Sequence, residues 1–172
     1  SMNGLELASV VSTKEAYTLG DEKSAIRIAV LDFGIKKNIL NCLVERGAFV
    51  KVFNAKTPFE ELEKFAPSGY FISNGPGDPA PMDYAIKTVK QILNSNKPLF
   101  GICLGHQLLA LANDIATFKM HHGHRGLNHP VKNIITGKCE ITTQNHGFGV
   151  QPDAVKANNN IEITHLNLND GS

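Results

Sequence analysis

Pro98-Leu99-Phe100-Gly101-Ile102-Cys103-Leu104-Gly105-His106-Gln107 is the stretch whose reading decides the fold. Pro98 to Ile102 reads as a short apolar strand and Leu104 to Ala112 as the helix that follows, so Cys103 stands at a strand-to-helix junction. Gly101 and Gly105 flank the cysteine where a sharp turn leaves no room for Cβ atoms, the mechanical demand of a nucleophile elbow. In an open parallel sheet reactive groups collect beyond the carboxyl ends of the strands, which is where this thiol falls. A helix amino terminus is expected to lower a thiol's pKa below its free value of about 8.5, and the Leu104 amide is expected to face developing oxyanion charge. A lone cysteine is otherwise a small buried apolar side chain, and only the two glycines tilt the reading toward chemistry.

Working outward, the same alternation repeats. Ile26 to Phe33 reads as a strand closed by Gly34, and Lys36 to Arg46 as a helix with Ile39, Leu40, Leu43 and Val44 at helical spacing, stopped by Gly47. Ala48 to Phe53 reads as a strand, Pro58 to Phe65 as a helix with proline in its first turn, and Gly69 to Ser73 as a strand. A Gly/Pro loop, Asn74 to Pro81, precedes a helix from Asp83 to Leu93 whose Ile86, Val89, Ile92 and Leu93 share one face. The pattern predicts an α/β protein with an open, mostly parallel sheet and helices on both faces, because parallel strands need crossovers. From Ala116 the character changes. His121 to His129 reads as a polar loop, and Lys138 to Thr143, Gly147 to Val150 and Ile161 to Leu166 as strands of a β-rich part extending the same sheet.

Composition narrows the function. A length of 172 residues and a net charge of +1 with scattered Lys and Arg predict one domain and no nucleic-acid face. Apolar runs fall short of a membrane span of ~20 residues. Cys42, Cys103 and Cys139 are three, far apart and without a C-x-x-C pair, which points to neither a disulfide framework nor a metal site and suits a reducing, cytoplasmic setting. Ser12 to Lys23 reads as linker or exposed surface, and Ser1-Met2 as a tag remnant ahead of internal sequence.

Asn74-Gly75-Pro76-Gly77-Asp78-Pro79 follows another strand and should project from the same sheet edge as Cys103. Taken alone it is an ordinary Gly/Pro turn; its glycines also allow the close backbone approach that an oxyanion donor needs. Together with Gly101 to Gln107 it resembles the class I glutamine amidotransferases of triad type, in which an elbow cysteine attacks the side-chain amide of glutamine. Within that class, Gly126-Leu127-Asn128-His129-Pro130-Val131 and Gln144-Asn145-His146-Gly147-Phe148 look like the carbamoyl-phosphate synthetase small-subunit branch. Val11 to Tyr17 resembles that branch's connector between its two domains. The resemblance implies residues 1–24 as a connector from a missing amino-terminal domain with the tag remnant, and 25–172 as the glutaminase domain, truncated at its carboxyl end.

Carried over, Cys103 is the nucleophile, Gly77 and Leu104 supply oxyanion amides, and Gly75, Gly77, Leu104, Gln107, Asn145, Gly147 and Phe148 line the glutamine pocket. Residue chemistry agrees, since glutamine's charged ends need amides and carbonyls in fixed positions; the alternatives are that Gln107 caps a turn and Asn145 shapes one. The implied activity is release of ammonia through a Cys103 thioester for carbamoyl phosphate synthesis, serving pyrimidine and arginine biosynthesis. The implied partner is a large synthetase subunit, in a heterodimer or higher oligomer, that binds ATP and Mg; this chain is expected to hold no cofactor or metal.

A thiol nucleophile usually has a histidine partner. His106, three residues past Cys103, is expected to lie along the helix, and His121, His122, His124 and His129 to be satisfied in a loop rather than to bind zinc. His146 and His165 are expected to bond locally. The family's base and its orienting glutamate lie in a His-Pro-Glu run, which does not occur among these residues, so this chain is expected to turn glutamine over poorly. Three other readings stay open: the amidotransferase subunit of another synthetase, a cysteine hydrolase such as a peptidase with the same elbow, and a non-catalytic scaffold that binds and regulates a synthetase.

Overall fold

The computed structural model describes residues 2–172, which divide into two compact units, one running to Asn113 and the other from Asp114 to Ser172. In the first unit, β1 (Tyr17–Leu19), β2 (Arg27–Asp32), β3 (Phe49–Asn54), β4 (Gly69–Ile72) and β5 (Leu99–Gly101) form one sheet in the order β1-β3-β2-β4-β5. All neighbours are parallel except β1, which pairs antiparallel with β3. The helices are α1 (Ala8–Val11), α2 (Lys37–Glu45), α3 (Phe59–Glu63), α4 (Asp83–Asn94) and α5 (Leu104–Ala112).

Strand alternation sends side chains to two faces, and each face has its own cover. Val30, Val50, Val52 and Phe71 pack with Leu40, Ile39, Leu43 and Val44 of α2. On the other face Leu31, Phe53, Tyr70 and Ile72 pack with Leu62 of α3, Val89 and Ile92 of α4, and Leu104 and Leu108 of α5. The expected parallel sheet with helices on both faces is therefore present, with boundaries within a residue or two of those read from periodicity. Because β2 leads outward to β3 on one side while β4 and β5 lie on the other, the connections diverge between β2 and β4. In open sheets of this kind the loops beyond the strand ends at such a divergence are where ligands bind.

Part of the leading segment is built into this unit rather than being surface linker. Ala8 is fully buried, β1 adds the antiparallel edge, and buried Ser12 accepts the Ala55 amide at 2.8 Å. The Asp32 carboxylate accepts the Thr13 amide at 2.7 Å, and Asn54 donates to the Thr13 carbonyl at 2.6 Å.

The second unit corrects the sequence reading. Its strands do not extend the first sheet: β6 (Thr117–Asn133), β7 (Cys139–Val150) and β8 (His165–Asn167) make a separate antiparallel sheet in the order β7-β6-β8. His121 to His129, expected as a loop, lies inside the 17-residue β6. Its polar, Gly-containing composition masks the strand because the strand is irregular: register slips between Lys119 and His124 and again between Gly126 and His129. Gly123, with φ +71, occupies the first slip, where a Cβ would stand 2.5 Å from the His146 carbonyl oxygen. The strand expected over Ile161 to Leu166 is confined to β8, and a short helix, α6 (Pro152–Lys156), follows β7. No helix among the described residues is long and apolar enough to cross a membrane.

Candidate active site

Cys103 sits between β5 and α5 with φ 53 and ψ −106, a conformation a side chain adopts only where the surroundings enforce it. The enforcement comes from crossing backbones. A Cβ on Gly105 would lie 2.1 Å from the Ile72 carbonyl oxygen, and one on Gly101 would lie 2.6 Å from the Gly105 carbonyl carbon. The Ile102 amide donates to Ile72 at 3.1 Å and the Gly105 amide to Ile102 at 2.9 Å, closing the turn. The expected elbow is formed, and both glycines are where they must be.

The thiol is partly buried but not sealed, and its titration departs from expectation. Burial pushes the Cys103 pKa up from its ordinary value, while a hydrogen bond from the Leu104 amide and the Lys36 ammonium pull it down without prevailing. The helix terminus was expected to lower it; desolvation of a partly buried sulfur outweighs one amide and one cation.

The loop after β4 reaches the elbow. A Cβ on Gly75 would stand 2.2 Å from the Phe33 carbonyl oxygen and 2.8 Å from Leu104 Cδ2, so the loop backbone is wedged between the β2 end and the first residue of α5. Gly77 has φ +99. Cys103, Leu104, Gly75 and Gly77 thus belong to one edge of the first sheet, as the two motifs predicted. Gln107, one turn along α5, is buried, and its amide donates to the Cys103 carbonyl at 3.1 Å. His106 is exposed on α5.

Sequence reading passed over the residues that hold this edge in shape. Asp32 is buried at the end of β2 and its Oδ1 accepts the amides of Gly34 and Ile35, each at 2.8 Å. Ser73, fully buried, accepts the Phe33 amide at 2.8 Å and donates to the Asn74 carbonyl. Asn74 donates to the Gly34 carbonyl at 3.0 Å. An aspartate ending a strand two residues before a glycine is an Asx-turn signal, and it was available in Asp32-Phe33-Gly34.

Asn145, Gly147 and Phe148 lie in the second unit on β7, Gly147 and Phe148 in the strand expected there and Asn145 inside the strand rather than shaping a turn. Asn145 pairs in register with Arg125 and is exposed; Phe148 pairs with Lys119, is buried, and carries the Lys119 ammonium 5.6 Å from its ring centre. Strand alternation directs the Asn145 and Phe148 side chains to opposite faces. His146 bonds locally, as predicted, to the Phe148 carbonyl at 2.9 Å and to Gln144 Oε1 at 3.1 Å, and also meets His124 at 3.1 Å. Burial lowers its pKa against the Phe148 bond. His124 is buried and pairs with Asp170 at 3.1 Å. His165 meets Thr164 at 2.9 Å. No group of three potential metal ligands forms among the described residues.

The cysteine elbow at the end of β5, approached by a glycine-bearing loop, stands in a chain whose residues 29–172 match the sequence model of the glutamine amidotransferase class-I family. The chain belongs to that family. It is 46% identical over 186 aligned residues to the carbamoyl phosphate synthase small chain of Rubrivivax gelatinosus, covering 100% of this chain and 47% of that one. To the protein of the same name from Salmonella typhimurium it is 47% identical, covering 99% of this chain and 48% of that one. The chain therefore spans about half the length of the curated relatives it matches. A glutamine amidotransferase from Thermotoga maritima shares the fold, with a TM-score of 0.58 and 16% identity, covering 73% of this chain and 62% of that one.

Proposed function

We propose that this chain is the glutaminase part of a carbamoyl phosphate synthase small chain. The observation that carries the reading is the Cys103 elbow, with the Gly75–Gly77 loop pressed against Leu104; similarity to small chains along nearly the whole sequence supports it. The Cys103 sulfur, as thiolate, adds to the glutamine side-chain carbonyl carbon, and the amides of Gly77 and Leu104 receive the charge that develops on oxygen. The C–N bond breaks, ammonia departs with one added proton, and water hydrolyses the γ-glutamyl thioester to glutamate and thiol. Gly75 and Gln107, both belonging to the first unit's sheet edge, would line the glutamine pocket. Ammonia is used by a large synthetase subunit with ATP, Mg and bicarbonate, in the cytoplasm, for pyrimidine and arginine biosynthesis; this chain itself needs no cofactor or metal.

Because a raised thiol pKa leaves little thiolate at neutral pH, the nucleophile depends on a base, and no His-Pro-Glu run occurs among these 172 residues. The chain by itself is expected to acylate slowly and to release glutamate more slowly still. The test is labelling with a glutamine-like chloroketone, read by peptide mass spectrometry. An adduct on Cys103, suppressed by glutamine and absent in Cys103→Ser, is expected. Absence of glutamine-protected labelling refutes the reading and returns the elbow to a scaffold role, and protection by peptides instead of glutamine makes it a peptidase.

A further inference from the structure

We propose that Gly4–Ser9 is a positioning clasp that sets the geometry of the Gly75–Asp78 loop for Cys103 chemistry, an inference that rests on the glutaminase reading. The segment pairs with the loop through a one-residue antiparallel bridge, Glu6 opposite Gly77. The Asp78 amide donates to the Leu5 carbonyl at 2.9 Å, and the Gly4 amide donates back to Asp78 Oδ2 at 2.9 Å. Asp78 is buried, and its Oδ1 accepts the Ala80 amide at 2.9 Å, so this carboxylate ties the clasp and the far end of the loop to one group.

The bridge's bond is made by the Asp78 amide and leaves the Gly77 amide out of the ladder, which suits a donor reserved for substrate. The contact is close: a Cβ on Gly77 would stand 2.7 Å from the Leu5 carbonyl oxygen and 3.0 Å from the Leu7 nitrogen. The clasp is in turn anchored away from the loop. The Glu6 carboxylate accepts the Ser9 amide at 2.9 Å, the Ser9 hydroxyl at 2.5 Å and the Tyr84 hydroxyl of α4 at 3.0 Å, and Ala8 is fully buried. Gly77, at φ +99, is held against Leu5 and Leu7, while Gly75 is held against Phe33 and Leu104. An oxyanion donor displaced by about an ångström can lose up to about a hundredfold in rate, so the clasp acts on the chemistry without touching substrate.

The experiment compares two reagents on the whole chain. A glutamine-like chloroketone draws on the oxyanion donors at its carbonyl; iodoacetamide alkylates the same thiolate by displacement and draws on them far less. In Glu6→Ala and Asp78→Ala the chloroketone rate is expected to fall about tenfold or more, the iodoacetamide rate to stay within about twofold, and Glu6→Gln, which keeps acceptors for Ser9 and Tyr84, to retain most of the rate. Tyr84→Phe is the milder variant should either alanine form fail to fold, and it is expected to shift the reagent ratio in the same direction. Wild-type chloroketone rates in these variants, or equal slowing of both reagents, overturns the clasp while leaving the glutaminase reading intact. No glutamine-protected labelling of the wild-type chain overturns both.

Discussion

Gly105→Ala isolates the contact on which the elbow depends. The new Cβ would lie 2.1 Å from the Ile72 carbonyl oxygen, 2.8 Å from its carbonyl carbon and 3.1 Å from Ile72 Cβ. Ordinary contact begins near 3.4 Å, so α5 must retreat from β4 by more than an ångström. Its start is tied there by the bonds from Ile102 to Ile72 and from Gly105 to Ile102, so retreat stretches both. Overpacking of this kind costs about 1–3 kcal/mol, and contact with backbone places it at the upper end; alanine's better helix propensity returns at most about 1 kcal/mol. A net loss of about 2 kcal/mol is expected, a fall in Tm of roughly 4–8 °C. The chain has no tryptophan, so urea and thermal unfolding are followed by far-UV circular dichroism. The iodoacetamide rate at Cys103 should change in parallel, because the elbow moves with the helix. Trimming Ile72 to valine should not rescue the variant, since the two nearest atoms are backbone. A Gly105→Ala protein as stable as the wild type, or more stable by its gain in helix propensity, refutes the argument that backbone crossing makes this position glycine.

Asp32→Ala removes the buried acceptor of the partly buried Thr13, Gly34 and Ile35 amides, and is expected to cost about 2–4 kcal/mol by equilibrium unfolding, since three donors are left without partners; a cost below about 0.5 kcal/mol would refute the role. The pH profile of Cys103 alkylation should have its midpoint above that of an ordinary thiol, because burial favours the neutral form, and Lys36→Ala should move it higher still by removing the cation; a midpoint below that of free cysteine contradicts this. Glu63 is held below the usual carboxylate range by hydrogen bonds from Lys97 and Tyr70. Its contribution is therefore present above the unfolded pKa and lost as pH falls through the folded one, on the acid side of 4.5. Lys97→Met should flatten that part of the stability profile by well under about 1 kcal/mol, since the pair is partly solvated; an unchanged acid limb disproves the assignment.

The elbow was legible because it is a local device. Cysteine between two glycines at a strand-to-helix change of period needs no distant residue to be recognised, and alternating β and α signals from Arg27 to Ala112 predicted the parallel sheet for the same reason. What escaped was long-range. The histidines of β6 carry no strand periodicity because the strand slips register twice, and only pairing with β7 and β8 makes it a strand at all. The placement of Asn145 on β7 was invisible for the same cause.

Sequence alone determined the thiol, its glycines and the order of elements that brings Cys103 to the edge of the sheet, since each follows from steric and periodic rules acting over a few residues. Tertiary structure alone decided that the Ile72 backbone is what crowds Gly105, that burial raises rather than lowers the thiol's pKa, and that the leading segment grips the Gly77 loop. Those properties belong to backbones and solvent exclusion brought together from distant parts of the chain, and no local pattern of side chains encodes them.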